Sequence, residues 1–216
     1  MVKAFTNGQV FYSEDMDSLV LSSNMRFPTA AARDATLTGS LAPANGIVSV
    51  LADEQVTYRY RSGWQPQPGT VMFSYARTST VSISPSSVQD ITGFNVDQLG
   101  SRNFGNRFAP VTGLFTPPVN GYYEFSGSAC FAQVSDTGGY RVAGTRCGSA
   151  GTYFHPEQCQ MWSGTYGVNS TLLFAVFTGV VSLQTTQKAS LFVFLSGSSA
   201  VNVGPCYFSA RFMGAT

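Results

Sequence analysis

The stretch NFGNRFAPVTGLFTPPVNGYYEFSG, residues 103–127, carries the most specific information about the fold. Its first half contains a turn, Thr112-Gly113, followed by Leu114-Phe115 at the start of a short strand. Proline donates no hydrogen bond to a strand ladder, so Pro117-Pro118 ends regular pairing. This half therefore predicts a short strand with a defined limit on each side.

The second half of the stretch predicts a longer strand. Asn120-Gly121 is a tight-turn dipeptide, because both residue types tolerate positive φ. Alternate residues of a strand share a face, so Tyr123 and Phe125 project from the same side.

Other β-rich runs lie on both sides of this stretch. They are rich in β-branched and aromatic residues, and clusters of Gly, Ser, Pro and Asn separate them. This pattern is typical of sandwiches and jelly rolls. The runs are VMFSYA (71–76), TVSIS (80–84), GYYEFSGSACFAQV (121–134), LLFAVF (172–177) and SLFVFL (190–195). No amphipathic helix interrupts them, so this part of the chain is predicted to be mainly β.

The spacing within residues 103–127 resembles the signature of the C1q-like jelly-roll family, which shares its fold with tumour-necrosis-factor ligands. That signature runs from an Asn or Asp to an aromatic residue five positions on, and then through Phe, Gly, Tyr and Phe at set intervals. The matching residues here are Asn103, Phe108, Phe115, Gly121, Tyr123 and Phe125.

The flanks of the signature match less well. Asp97 stands where the family has Phe, and Gly127 stands where it has a closing aromatic residue. FSYAR (73–77) resembles the opening strand of the family, and YFSARFMG (207–214) resembles the closing strand, with Ala210 in place of the usual Gly. The resemblance covers residues 69–216. It implies an antiparallel jelly-roll sandwich that assembles as a homotrimer and buries aromatic and apolar side chains along its axis.

The N-terminal third has a different pattern. Ser13 is a candidate helix cap, and AAARDA (30–35) is a second short helix candidate. GIVSVL (46–51) and VTYRYR (56–61) flank a turn and predict a β-hairpin. The linker QPQPG (65–69) follows, because two prolines resist both helix and central strand. We therefore expect an N-terminal docking and trimerisation segment, residues 1–66, and a jelly-roll domain, residues 67–216.

Residues 27–66 resemble a short module of bacteriophage tail proteins, in which a TAAARDA-like segment precedes a hairpin and a Gly-Trp. The two resemblances together imply a non-enzymatic virion protein, a trimeric minor tail or tail-fibre-like protein. Residues 1–66 would dock onto other virion structural proteins, and the head would contact a host-surface glycan or protein. The alternative is a purely structural tail-tip or capsid-decoration subunit. An extracellular C1q- or TNF-like ligand is disfavoured, because the first residues contain no apolar core of signal-peptide length.

The charge content excludes some partners. The chain has 216 residues, with 12 Lys+Arg, 11 Asp+Glu and a formal net charge of +1. Charged residues make up 11%, against roughly 25% in an ordinary soluble domain. Nucleic-acid binding is not expected, since it needs clustered cations. The longest apolar stretch, residues 171–183, is shorter than a membrane-spanning helix, so no membrane insertion is expected. Weak charge repulsion favours association of copies.

The candidate host contacts lie in a Gly-dense segment, residues 136–167, which is predicted to be a long loop. Its aromatic and imidazole side chains are Tyr153, His155, Trp162 and Tyr166. Aromatic residues dominate binding hot spots, which favours them as contacts. The alternative is that they belong to the core or to a trimer interface.

The cysteines, Cys130, Cys147, Cys159 and Cys206, form no CxxC pair. The separations of Cys147, His155 and Cys159 match no common zinc motif, so neither a metal nor a cofactor is predicted. Free thiols and a loop disulfide both remain open. The chain also lacks a nucleophile elbow, a P-loop and an HExxH motif, and a catalytic triad would have to use its single histidine. We therefore expect no enzyme, although separated carboxylates could still meet in space.

Overall fold

The computed structural model describes residues 25–38, 48–51, 56–61, 63–98, 103–132, 141–149, 152–154 and 172–216. The chain divides into two compact units, Met1–Thr70 and Val71–Thr216. The helix predicted after Ser13 lies outside the described residues.

The first unit contains a small sheet and one short helix among its described residues. Its elements are β1 (Met25–Phe27), α1 (Ala30–Thr36), β2 (Val48–Leu51), β3 (Val56–Tyr60) and β4 (Trp64–Pro66). The strands lie in the order β1-β2-β3-β4, with β1 parallel to β2 and the other pairs antiparallel. The predicted helix and hairpin are therefore confirmed. Thr29 caps the helix, since its Oγ1 accepts a hydrogen bond from the Ala32 N–H at 3.1 Å.

The linker prediction needs a correction. Gln65 and Pro66, the first two residues of QPQPG, belong to β4 and pair with β3. Proline is tolerated there because β4 is an edge strand of the sheet, where a missing N–H interrupts no ladder. After β4 ends, the Gln67 N–H still donates a hydrogen bond to the Thr57 carbonyl at 3.0 Å. The irregular backbone therefore begins after Gln67, and not at Gln65 as the linker prediction had it.

The described residues of the second unit form strands, with a 3₁₀ turn at Phe104–Asn106. Its strands are β5 (Val71–Arg77), β6 (Val81–Ile83), β7 (Ser87–Asp90), β8 (Val96–Asp97), β9 (Phe108–Ala109), β10 (Leu114–Phe115), β11 (Gly121–Ala132), β12 (Arg141–Ser149), β13 (Thr152–Phe154), β14 (Leu172–Leu183), β15 (Gln187–Leu195) and β16 (Val201–Ala215).

These strands form two six-stranded sheets. One has the order β14-β11-β16-β5-β8, with β6 beside β16, and the other has the order β13-β12-β15-β10-β9, with β7 beside β15. From β10 to β16 the chain crosses repeatedly between the two sheets, so sequence neighbours such as β11 and β12 belong to different layers. The pairs within each six-stranded sheet are antiparallel. The predicted antiparallel jelly-roll sandwich is confirmed.

The core between the two sheets is filled by aromatic rings. Phe73 of β5 stacks on Phe108 with ring centres 4.2 Å apart, and Phe125 stacks on Phe208 at 5.7 Å. These four side chains are at most 1% exposed. Offset and edge-to-face rings of this kind add to the stabilisation from apolar burial. Much of the aromatic surplus of the chain therefore lies inside the sandwich.

The prediction of one long loop over residues 136–167 is wrong in part. Arg141–Ser149 is strand β12, paired with β15 along its whole length, and Thr152–Phe154 is strand β13 at the edge of the same sheet. The sequence RVAGTRCGS lacks the β-branched and aromatic density that marks a strand. Its strand conformation is instead supported by hydrogen bonding to β15 and by burial, since most of its residues are buried.

Candidate functional site

The six signature residues form part of the scaffold of the sandwich. Asn103 closes the 3₁₀ turn, because its Oδ1 accepts from the Phe108 N–H at 2.9 Å and its Nδ2 donates to the Phe108 carbonyl. One amide side chain thereby satisfies both backbone polar groups of a buried residue. This pairing is the physical reason for the five-residue interval between the asparagine and the aromatic.

The remaining signature residues pack behind this turn. Phe115 contacts Tyr123 and Phe125 edge to face, with ring centres 5.5 and 5.8 Å apart. The Tyr123 hydroxyl donates to the Val119 carbonyl at 2.8 Å, so the ring is buried while its polar end is bonded. Burial raises the pKa of Tyr123 above its ordinary value of 10.0, against the opposing effects of this hydrogen bond and of nearby Arg107. Tyr123 and Phe125 share a face as predicted.

The departures from the signature also have structural causes. A Cβ on Gly127 would lie 2.7 Å from Cζ of Phe177, so the ring of Phe177 takes space next to the position where the family has its aromatic. Asp97 lies on edge strand β8, opposite Tyr75 of β5. Burial raises the pKa of Tyr75, and the Asp97 charge adds to this effect.

The outer face of the β14-β11-β16-β5-β8 sheet carries exposed apolar side chains. Phe174 and Val176 of β14 are 54% and 63% exposed, whereas the intervening Ala175 is buried. Val180 on the same strand is 39% exposed. Among the described residues, β14 is an edge strand of this sheet. Exposed apolar edge strands favour pairing or packing with another chain.

Hydroxyl side chains occupy the middle of this face. Strand register aligns Thr178, Ser126, Ser209 and Ser74 in one row across β14, β11, β16 and β5. Ser126 and Ser209 share a hydrogen bond of 2.7 Å, and Ser74 shares one of 2.8 Å with Tyr207. A shallow pocket of about 240 Å³ lies over this row. The row is therefore polar and carries no formal charge.

Two charged residues stand beside the row. Strands β14, β11 and β16 contain no Asp, Glu, Lys or Arg other than Glu124 and Arg211. The two are Cα partners on neighbouring strands, and an Arg211 Nη1 lies 4.0 Å from a Glu124 Oε2. The Arg211 side chain is 52% exposed and the Glu124 side chain is 36% exposed. The face is therefore almost neutral, with one loosely paired charge of each sign.

Comparison with known proteins gives no family for this chain. Neither a protein-family profile nor a curated protein sequence matches the chain. Among solved structures, Eiger TNF from S. frugiperda aligns with a TM-score of 0.46 at 10% identity, over 69% of this chain and 96% of its own. The CBM22-1 xylan-binding domain of Xyn10C from Paenibacillus barcinonensis aligns with a TM-score of 0.35 at 12% identity, over 70% of this chain and 100% of its own.

The chain has a C1q/TNF-like jelly-roll fold. The sheet orders and the internal signature described above carry this assignment. From the sequence, LLFAVF is predicted only as a β-rich run, and the exposed apolar row on β14 is not predicted. The sequence does contain a signal for this row, because apolar residues occur on both faces of β14. Such a pattern is typical of a strand that is covered on both faces.

The four candidate host contacts are not brought together within the described residues. Tyr153 belongs to strand β13, while His155, Trp162 and Tyr166 lie outside the part of the chain that the structure describes. Their role as host contacts stays a prediction. No helix among the described residues has the length and apolarity needed to cross a membrane.

Three cysteines of the jelly roll are buried among the described residues: Cys130, Cys147 and Cys206. Cys130 and Cys206 are free thiols, and Cys159 lies outside the described residues. Burial raises the pKa of Cys206 to about 12, and it also raises the pKa of Cys130. A buried thiol with a raised pKa is a poor nucleophile. Within the described residues, no three His, Cys, Asp or Glu side chains are grouped as a metal site.

The second sheet contains a polar cluster on its own strands. Asp90 of β7 accepts a hydrogen bond from the Ser190 hydroxyl of β15 at 2.8 Å and forms an ion pair with Arg146 of β12. The carboxylate thereby links three strands of that sheet. This arrangement holds the three strands in position.

Proposed function

We propose that the chain is a homotrimeric, non-enzymatic virion protein of a bacteriophage. In this proposal it is a minor tail or tail-fibre-like protein whose first 66 residues dock onto other virion proteins. The jelly-roll head faces outward and attaches to a host-surface glycan or protein. The single observation that carries the assembly is the exposed apolar row of β14, formed by Phe174, Val176 and Val180.

Several features support assembly through this face. Leaving large apolar side chains in water forgoes the roughly 25 cal/mol per Å² that their burial would contribute. Exposed Tyr122 and Met213 extend the apolar surface toward one end of β11 and β16. A contiguous apolar surface with little charge is typical of an interface between subunits. Three copies presenting three heads would also raise the apparent affinity for a repetitive host surface.

The oligomeric state tests the assembly directly. We expect light scattering and native mass spectrometry to give the mass of three chains for the full-length protein. Val176→Asp places a charge in the apolar row and should shift the mass toward one chain. Val111→Asp is the matched control, because Val111 is 81% exposed in a turn outside β14. A wild-type monomer, or a trimer unchanged by Val176→Asp, would contradict the proposal.

The virion role needs two further measurements. Imaging of labelled particles should place the protein on the virion, and its absence from particles would overturn this part. Binding of the isolated protein to host cells separates attachment from a purely architectural role. We expect saturable binding that free protein competes away. A trimer present on particles that binds no host cell would instead be a structural tail-tip or capsid-decoration subunit.

A further inference from the structure

The charge pair on the outer face of the β14-β11-β16-β5-β8 sheet is poorly satisfied within one chain. The 4.0 Å separation between Arg211 and Glu124 exceeds the length of a hydrogen bond. A guanidinium offers five N–H donors in a planar fork, and among the described residues that of Arg211 makes only this long contact. An exposed pair of this kind contributes little to the free energy of folding. Both groups therefore retain capacity for a second partner.

Burial of this face would change the requirements on both charges. A charge that leaves water without a good partner is costly, because its lost hydration is not replaced. The neighbouring groups on this face are the hydroxyls of Ser126 and Ser209 and apolar side chains, none of which carries a compensating charge. The compensating charge must then come from the other surface of the interface. A second copy of this chain presents one charge of each sign there.

We infer that Arg211 of one copy pairs with Glu124 of the next copy around the three-fold axis. This inference rests on the proposed trimer. A cyclic assembly repeats each contact in the same rotational sense, so one Arg and one Glu per chain produce a ring of alternating charge. The pairing fixes the register in which copies meet, since a rotated or inverted arrangement would place like charges together.

Charge reversal separates pairing between copies from pairing within a chain. In Arg211→Glu both face residues are acidic, and in Glu124→Arg both are basic. Each variant alone should form trimers about a hundredfold more weakly than wild type, because like charges meet at every interface. Arg107→Glu is the control, since Arg107 is exposed and outside the three strands of the face.

Mixing the two variants gives the decisive result. A mixed trimer contains two interfaces at which an acidic face meets a basic one, so co-expressed Arg211→Glu and Glu124→Arg chains should recover trimers of 2:1 and 1:2 composition in native mass spectrometry. If the pair acts only within a chain, mixing recovers nothing, because every chain keeps its own like-charge pair. Co-expression with distinct tags keeps the test valid even when the lone variants are insoluble.

The outcomes also separate this inference from the proposed function. A wild-type protein of one-chain mass would remove the trimer and the inference with it. A trimeric wild type, together with single variants that assemble like Arg107→Glu, would overturn the inference alone. Trimers lost in both single variants and absent from the mixture would likewise overturn it, since the charges would then act inside each chain.

Discussion

Gly121 lies directly against the ring of Phe212, so that a Cβ on Gly121 would be 2.8 Å from the ring carbon Cε2. The same Cβ would be 2.5 Å from the Gly214 carbonyl oxygen. The first residue of β11 is therefore held between a core ring and the backbone of β16. The glycine of the signature is needed here for the close approach of backbone, and its φ is not positive.

We expect Gly121→Ala to lower the free energy of unfolding by about 1–3 kcal/mol, because the new methyl group forces the two strands apart. Urea denaturation of the full chain measures this change. Ser128→Ala on the same strand is the control and should change the free energy by less than about 0.5 kcal/mol. Equal stability of the two variants would contradict the close approach.

The two hydrogen bonds between the Asn103 side chain and the Phe108 backbone should stabilise the fold. Asn103→Ala leaves a buried N–H and carbonyl without their partners and should cost about 1–3 kcal/mol of unfolding free energy. Asn103→Asp keeps an acceptor for the Phe108 N–H and loses the donor, so its loss should be smaller. Asn202→Ala, at an exposed position of β16, serves as the reference. If chemical denaturation gives the same free energy of unfolding for Asn103→Ala and Asn202→Ala, Asn103 does not have this role.

The Tyr123 hydroxyl should make the fold sensitive to alkaline pH. Folding raises its pKa, so the folded state holds a proton that the unfolded state releases near pH 10. The contribution of the Tyr123 hydroxyl to the free energy of unfolding is fully present below that pH and is lost as the pH rises above it. Tyr123→Phe should cost about 1 kcal/mol at neutral pH and show a shallower alkaline decline. Parallel stability curves for the two proteins between neutral pH and pH 11, measured by denaturation, would show that Tyr123 does not contribute.

The buried thiols should react only when the chain unfolds. In a Cys147→Ser, Cys159→Ser background, Cys130 and Cys206 remain, and burial raises the pKa of both. At pH 8 an aromatic disulfide reagent should label neither thiol in the native protein and both in urea. The native labelling rate should rise with denaturant in step with unfolding. Rapid stoichiometric labelling without denaturant would mean that these thiols are accessible in the folded state.

The N-terminal unit should depend on the guanidinium plane of Arg33. Its Cζ lies 4.5 Å from the Trp64 ring centre and 5.5 Å from that of Tyr58, and the residue is 5% exposed. Lysine keeps the charge and loses the planar stack. In a Trp162→Phe background, Arg33→Lys should change the Trp64 fluorescence and cost about 1 kcal/mol. Arg59→Lys, at an exposed position of β3, should leave both unchanged. Identical spectra for the two variants would contradict the stacking.

Local sequence chemistry was sufficient for much of the fold. The turn residues and the alternation after Asn120-Gly121 placed Tyr123 and Phe125 on one face, and both are buried in the core. The run AAARDA (30–35) likewise predicted helix α1. Strand β12 was missed because its small residues carry little intrinsic signal and its conformation comes from pairing with β15.

Residue types and their order are enough to show which residues alternate around Tyr123 and Phe125 and that the second part of the chain is a β-sandwich. The three-dimensional packing is needed to show that Phe177 points into the core while Phe174 and Val176 stay exposed. It alone placed Arg211 beside Glu124, residues that are far apart along the chain. The physical reason is that alternation within a strand defines its two faces, whereas the neighbouring strand and the opposite sheet decide which face is covered.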